Sequence, residues 1–87
     1  MAAVCEARYT QRFLADLKKL EAPLQRRILQ AIETKLLTNP FHYARKLVSH
    51  SGPGAWRFRV GQYRLRFDIE GQRLLFYRVR HRREIYE

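Results

Sequence analysis

The residues best suited to chemistry are four arginines that alternate with apolar residues on both sides of Gly61-Gln62. A two-residue turn with glycine first is typical of a type II′ β-hairpin, and period-two alternation is typical of strands with one buried face. In such a hairpin Arg59 pairs with Arg64, and Arg57 pairs with Arg66, on one side of the sheet, which we name the arginine face. Like charges opposite one another destabilise a sheet, so the pattern favours a bound anion such as phosphate.

An array of arginines is suited to the cleavage of RNA by its own 2′-hydroxyl. That reaction needs a base for the 2′ proton, donors that stabilise charge on the phosphorus oxygens, and an acid for the leaving oxygen. Arginine can fill the second role, because its guanidinium stays charged and matches phosphate oxygens bidentately. For the base, histidine is the natural residue type, but the spacing of His81 favours a structural role. Nearby positive charge would favour the phenolate of Tyr86, whereas its position near the C-terminus favours packing.

The register of the next strand, 73–81, depends on the turn at Gly71-Gln72. A two-residue turn would place Leu75, Tyr77 and Val79 on the arginine face, whereas a three-residue or bulged turn would place Arg78 and Arg80 there. We favour the second arrangement, because it keeps two more arginines out of the core.

Upstream segments supply the elements that position this hairpin. Residues 3–9 have the composition of a strand, and Thr10 is a suitable N-cap for an amphipathic helix over 10–20. A second helix begins near Pro23 and ends at Asn39-Pro40, and residues 40–54 are predicted to be a loop. The order β-α-α-β-β-β indicates an α+β fold in one domain, 1–87. We expect an antiparallel helical hairpin on one face of a twisted, mainly antiparallel sheet, with the opposite face open and basic.

Composition narrows the function classes. The chain has 87 residues and a formal net charge of +10, and residues 44–87 carry eleven basic and four acidic side chains. This balance indicates a nucleic acid or an acidic protein partner. The sequence shows neither a secretion signal nor an apolar run of about 18 residues, so we expect a cytoplasmic protein with no membrane partner. One cysteine, Cys5, excludes an internal disulfide, and Asp68 and Glu70 favour ion pairs over a metal site. We therefore expect no metal and no cofactor.

Four segments together resemble the RelE/ParE toxin superfamily: Asn39-Pro40, Arg45-Lys46-Leu47, residues 54–64 and residues 81–86. The specific parts are W-R-x-R-V-G-x-Y-R and H-R-R-E-I-Y, and the resemblance covers essentially the whole chain. It implies the toxin of a type II toxin–antitoxin pair, and the arginine set is closest to the RelE-like branch. That branch cuts mRNA in the ribosomal A site as a metal-independent endoribonuclease and so inhibits translation.

The resemblance also implies roles for individual residues. The implied catalytic residues are Arg57, Arg59, Arg64, Arg82 and Tyr86. The implied RNA-binding residues are Arg66, Arg78, Arg80, His81, Arg83 and Lys46. The chain departs from the family pattern in two ways: well-known members carry lysines where this chain has Arg57 and Arg59, and often glycine where it has Arg80. The identity of the general base therefore stays open, and Arg83 is an alternative to Arg82.

Three functions remain open from the sequence. The first is the ribosome-dependent endoribonuclease, with ribosome and mRNA as partners. The second is a ParE-like inhibitor of DNA gyrase without nuclease activity, and the third is an RNA-binding module without turnover. Either toxin reading implies an acidic, RelB-like antitoxin that wraps the basic domain in a hetero-oligomeric complex.

Overall fold

The computed structural model describes residues 5–47 and 52–85. The strands are β1 (Glu6–Tyr9), β2 (Arg45–Lys46), β3 (Trp56–Val60), β4 (Tyr63–Glu70) and β5 (Arg73–His81), and the helices are α1 (Gln11–Lys18), α2 (Ala22–Ala31), α3 (Pro40–Tyr43) and α4 (Arg82–Ile85). A π-helical turn, Ile32–Leu36, continues α2. The predicted α+β class and the β-α-α-β-β-β order are confirmed, with three short elements added.

The five strands form one mixed sheet in the order β1-β5-β4-β3-β2. The β1 strand runs parallel to β5, and the other neighbours are antiparallel. Residues of α1, α2 and the π-helical turn cover one face, where the largest fully buried side chains are Phe13, Phe67, Phe76, Ile28, Ile32, Leu36, Leu65 and Leu74. The arginine face is the other side of the same sheet.

Thr10 caps α1 and also ties it to β5. Its hydroxyl oxygen accepts a hydrogen bond from the Phe13 amide at 3.1 Å and donates one to the Tyr77 carbonyl at 3.2 Å. Its amide donates to the Phe76 carbonyl at 3.0 Å. One residue therefore starts the helix, as the sequence predicts, and joins it to the middle of the last strand.

The β3–β4 hairpin has the predicted register. Val60 pairs with Tyr63, Arg59 with Arg64, and so on to Trp56 with Phe67. Gly61 has a φ of 58° while Gln62 stays at negative φ, which is the requirement of a type II′ turn. The local turn chemistry therefore places all four arginines of the hairpin on one face.

The predicted irregularity at Gly71-Gln72 was wrong in position. That turn has two residues, since Glu70 pairs with Arg73, and the register shifts further along, between Arg66 and Phe67 of β4. On β5 the partner of Phe67 is Phe76 and the partner of Arg66 is Arg78, so Tyr77 is the extra residue of a β-bulge. The bulge has the effect that we expected of the turn, since it places Arg78 and Arg80 on the arginine face. There Arg78 pairs with Arg66, and Arg80 pairs with Arg64.

The predicted loop over 40–54 contains two ordered elements. The helix α3 fills 40–43, and β2 adds a two-residue edge strand in which Arg45 pairs with Arg57 and Lys46 with Trp56. Elements this short have no periodicity that a sequence could reveal. Among the described helices, none has the length and apolar character that a bilayer crossing requires.

Candidate nucleic-acid interface

Besides Arg8 and Arg73 near Gly71, the observed register brings seven arginines to the arginine face. They come from four neighbouring strands and are Arg45, Arg57, Arg59, Arg64, Arg66, Arg78 and Arg80. Paired residues of adjacent strands share a face, so each of these side chains starts from the side of the sheet opposite the core, although that of Arg78 turns towards α1. The sequence identifies six of them, and Arg45 is the one that we missed.

Charge is unevenly distributed over this face. At the end near Gly71, Glu6 forms ion pairs with Arg73 at 3.4 Å and with Arg8 at 3.6 Å. Asp68 and Glu70 of β4 belong to the same end. We predicted that Asp68 and Glu70 form ion pairs, but neither takes part in an ion pair within residues 5–47 and 52–85. Asp68 instead accepts a hydrogen bond from the Ala55 amide at 3.1 Å. The end near Gly61 is strongly positive, as the sequence there leads us to expect.

A pocket of about 300 Å³ opens on the positive part of the face. Tyr43, Arg45, Arg57, Phe58, Arg59 and Arg64 line it, and we name it the arginine pocket. Its guanidinium groups come from β2, β3 and β4. Such a concave concentration of fixed positive charge with planar donors is suited to a phosphate or another compact anion.

Arg66 and Arg78 join the arginine face to other parts of the fold. The Arg66 Nε donates to the Gly54 carbonyl at 2.7 Å, and burial, with the charge of Arg57, lowers the pKa of Arg66 while Asp68 opposes that change. The Arg78 Nε donates to Asp16 of α1 at 2.7 Å. These contacts hold the loop before β3 and the first helix against the sheet, so both residues have structural roles on the surface where we predict RNA binding.

The residues at the end of β5 divide between the two faces. Arg80 lies beside Arg64 on the arginine face. His81 pairs with Tyr63, and its ring packs edge-on against that tyrosine at 5.2 Å. Its Nδ1 accepts a hydrogen bond from the Arg83 amide at 3.2 Å, at the start of α4. His81 therefore points away from Arg80 and stabilises the strand–helix junction, and its contact with RNA stays a prediction.

The predicted C-terminal residues lie near the β3–β4 turn as far as they are described. The Arg82 amide donates to the Gln62 carbonyl at 2.7 Å, and its Nη1 is 3.4 Å from the Gln62 Oε1. The side chain of Arg83 is exposed. Tyr86, the predicted candidate base, lies outside the described residues.

Lys46, which we predicted to bind RNA, and Arg45, to which we gave no role, lie on opposite sides of β2. Lys46 pairs with Trp56 and so lies on the opposite side of the strand from the arginines, whereas Arg45 lines the arginine pocket. The pairing of Arg45 with Arg57 places Arg45 on the arginine face. The sequence could have shown this only if β2 were already known to pair with β3. Tyr43, in α3, was also missed.

The ionisation of Tyr77 and the placement of possible metal ligands bear on the chemistry of the face. Burial, followed by the charge of Asp68 and a hydrogen bond to it, raises the pKa of Tyr77, so this phenol stays protonated at neutral pH. Within 5–47 and 52–85, no three His, Cys, Asp or Glu side chains are grouped as ligands of one metal ion.

Helices packed on one side of a five-stranded sheet, with an arginine pocket on the other, define an α+β protein with a basic open face. The family model for the ParE toxin of type II toxin–antitoxin systems matches residues 7–86. The chain is also 29% identical over 83 residues to Toxin RelE3 of Methanocaldococcus jannaschii, which covers 91% of this chain and 92% of that protein. The chain belongs to this toxin family and is a RelE/ParE-type toxin of a type II toxin–antitoxin system.

Solved structures show the same fold. The RelBE2 toxin–antitoxin complex from Mycobacterium tuberculosis superposes with a TM-score of 0.78 at 24% identity, over 93% of both chains. The RelB–RelE antitoxin–toxin complex from Methanococcus jannaschii gives a TM-score of 0.68 at 25% identity, over 91% of this chain and 94% of that one.

Proposed function

We propose that this toxin is a metal-independent endoribonuclease that cleaves mRNA on the ribosome and so inhibits translation. The observation that carries the proposal is the arginine pocket, where side chains of Arg45, Arg57, Arg59 and Arg64 border one cavity of about 300 Å³. The name of the RelE3 relative supports the same branch of the superfamily.

The pocket is suited to the charge that develops during transesterification. The 2′-oxygen attacks phosphorus, its proton passes to a base, the bond to the 5′-oxygen breaks, and that oxygen leaves with a proton from an acid. The products are a 2′,3′-cyclic phosphate and a 5′-hydroxyl. Arg57, Arg59 and Arg64 would stabilise the added negative charge on the phosphorus oxygens, and the need for a 2′-hydroxyl would restrict the reaction to RNA.

We assign proton transfer in this reaction to residues near the C-terminus. Tyr86 is the candidate base, because a concentration of positive charge favours its phenolate. Arg82, anchored at Gln62 beside the β3–β4 turn, would add positive charge at that end of the pocket, and Arg83 is the alternative. The ribosome would supply the remaining positioning of the mRNA.

End-labelled mRNA in stalled ribosomal complexes tests the proposal. Wild-type protein should cut it and leave a 2′,3′-cyclic phosphate or its hydrolysed 3′-phosphate, and a single 2′-deoxy nucleotide at the cut position should block cleavage. Arg64→Ala should slow cleavage about 10²–10³-fold, the typical effect of removing one donor to a developing oxyanion. Tyr86→Phe should also slow it.

Arg73→Ala is the matched control, since Arg73 is an exposed arginine of the same sheet that pairs with Glu6 outside the pocket. It should cleave like wild type. Intact mRNA with wild-type protein, products with a 3′-hydroxyl and 5′-phosphate, or equal losses in Arg64→Ala and Arg73→Ala would each contradict the nuclease.

The ParE identity of the family model favours one alternative. A ParE-like toxin would inhibit DNA gyrase through protein contacts and would need no reacting phosphate. In a supercoiling assay it would block purified gyrase, and Arg64→Ala and Tyr86→Phe would stay toxic in cells. The nuclease reading requires the opposite result in both assays.

We also propose an antitoxin partner of acidic character. Both similar solved structures are toxin–antitoxin complexes, and the net charge of +10 would be complemented by an acidic, partly helical chain that forms a hetero-oligomer with this one. Co-expression with the product of an adjacent short open reading frame should suppress toxicity, and purification should yield a stable complex.

A further inference from the structure

One wall of the arginine pocket comes from outside the hairpin that carries the proposed chemistry. Tyr43 ends α3 and Arg45 begins β2, and both line the cavity beside Arg57 and Arg59. An aromatic ring next to guanidinium groups is the combination with which proteins bind single-stranded nucleic acids, through stacked bases and contacted phosphates.

We propose that Tyr43 and Arg45 form a nucleotide subsite for single-stranded RNA, in which the Tyr43 ring stacks on a base and Arg45 binds the adjoining phosphate. The identity of the ligand as RNA rests on the proposed function. This subsite would hold the nucleotide next to the linkage that lies over Arg57, Arg59 and Arg64.

The backbone around Tyr43 is well fixed for this role. Pro40 and Ala44 are buried on either side of it, and the Ala44 amide donates to the Pro40 carbonyl at 2.9 Å. Immediately after Ala44, Arg45 pairs with Arg57 in the sheet. The ring and the guanidinium are thus attached to a short rigid segment, which limits the entropy lost when a ligand orders them.

The Tyr43 side chain combines accessibility with a defined setting. It is 40% exposed, its ring stands edge-to-face with His42 at 4.7 Å, and the Lys35 ammonium lies 5.9 Å from its centroid. Lys35 places positive charge over the ring, which would attract the backbone of a nucleotide that stacks on it. At about 300 Å³ the pocket is at the small end of ligand-binding cavities, as a single nucleotide requires.

Phe41 offers a matched comparison on the same short helix. It is more exposed than Tyr43, at 68%, but its ring packs edge-to-face on Trp56 at 5.6 Å, and it is not among the residues that line the arginine pocket. If exposure alone made an aromatic bind RNA, Phe41 would contribute more than Tyr43. The pocket geometry predicts the reverse.

Fluorescence anisotropy with a labelled short RNA, made uncleavable by 2′-deoxy substitution, separates the two contacts. Tyr43→Leu should weaken binding roughly 5- to 150-fold, the effect of losing one stacked base, at every salt concentration. Tyr43→Phe should bind like wild type, and so should Phe41→Leu. An oligonucleotide with abasic sites should bind wild type more weakly than its intact counterpart, and Tyr43→Leu should bind both equally.

Arg45→Gln should instead change the salt dependence. The slope of log affinity against log salt should become shallower by about 0.7, the contribution of one phosphate contact on a single strand. Arg8→Gln is its control, because Arg8 is an exposed arginine on β1, at the opposite edge of the sheet, and pairs with Glu6. It should leave both affinity and slope unchanged.

Several results would overturn the subsite. These are equal binding of intact and abasic oligonucleotides by wild type, equal losses for Tyr43→Leu and Phe41→Leu, or an unchanged slope for Arg45→Gln. Ribosomal cleavage measured in parallel distinguishes the two proposals. Base-dependent binding without cleavage would refute the nuclease and keep the subsite. If wild type cleaves mRNA and Tyr43→Leu changes neither cleavage nor RNA binding, the subsite is refuted and the nuclease is kept.

Discussion

Replacing Arg57 by glutamine should stabilise the folded protein while it impairs the proposed reaction. Arg57 lies directly across from Arg45 on β2 and from Arg66 on β4, and its charge contributes to the lowered pKa of Arg66. Each like-charge cross-strand pair costs about 0.2–1 kcal/mol. Two charges about 6 Å apart in a solvated setting repel by about 0.7 kcal/mol, which agrees with that range. Removing both pairs should raise the free energy of unfolding by about 0.4–2 kcal/mol.

Thermal unfolding at low and high salt measures this effect. For a domain of this size the gain corresponds to a rise in Tm of roughly 2–16 °C, and it should shrink in 1 M salt, where the screening length falls to about 3 Å. Arg73→Gln is the control, since Arg73 lies opposite Glu70 and pairs with Glu6 and should show no gain. A Tm that is unchanged or lower in Arg57→Gln, or a gain that is insensitive to salt, would refute the view that mutual repulsion strains the arginine face in the absence of an anion.

Three further predictions concern the parts of the fold that support the face. Asp16→Asn should destabilise the protein by about 1–3 kcal/mol in urea unfolding, because it weakens the pair with Arg78; an unchanged unfolding midpoint would contradict this role. Gly61→Ala should cost about 1–2 kcal/mol, since a φ of 58° is unfavourable for a residue with a Cβ, and a midpoint equal to wild type would exclude a strained turn. Burial and the charge of Glu33 raise the pKa of Tyr9, so its neutral form is favoured in the fold. The stabilisation that neutral Tyr9 contributes is fully present below the pKa of tyrosine in the unfolded chain, about 10. It is lost as pH rises from there through the higher pKa that Tyr9 has in the folded protein. Tyr9→Phe should therefore lose less stability than wild type above about pH 10. Tm measured across pH tests this, and equal losses in the two proteins would contradict it.

The elements that the sequence predicted well are those specified by local signals. Thr10 has the side chain of an N-cap, and the apolar stripe that includes Ile28 and Leu36 has helical spacing; each has the expected place in the structure. The β3–β4 register followed from the turn residues and the alternation around them. These features depend on residues only a few positions apart, so neighbouring side chains and backbone preferences suffice to define them.

The register of β5 depends on distant residues instead. The run 74–77 is apolar throughout, so it fits either face and hides the bulge at Tyr77. The bulge is held by the Thr10 hydroxyl, which bonds its carbonyl, and by Asp16, which accepts from the Val79 amide at 3.2 Å. Because Thr10 and Asp16 lie more than sixty residues before the residues that they bond, no pattern within the strand could reveal them.

The order of residues alone was enough to predict a basic α+β domain and the arginine face, because alternation and turn type act over short distances. Only the folded chain decided which guanidinium groups line the arginine pocket. Folding engages Arg66 with Gly54 and Arg78 with Asp16, and pairing of β2 with β3 brings Arg45 and Tyr43 to the pocket. Contacts between residues far apart in the chain thus separate the arginines that support the structure from those that line the pocket.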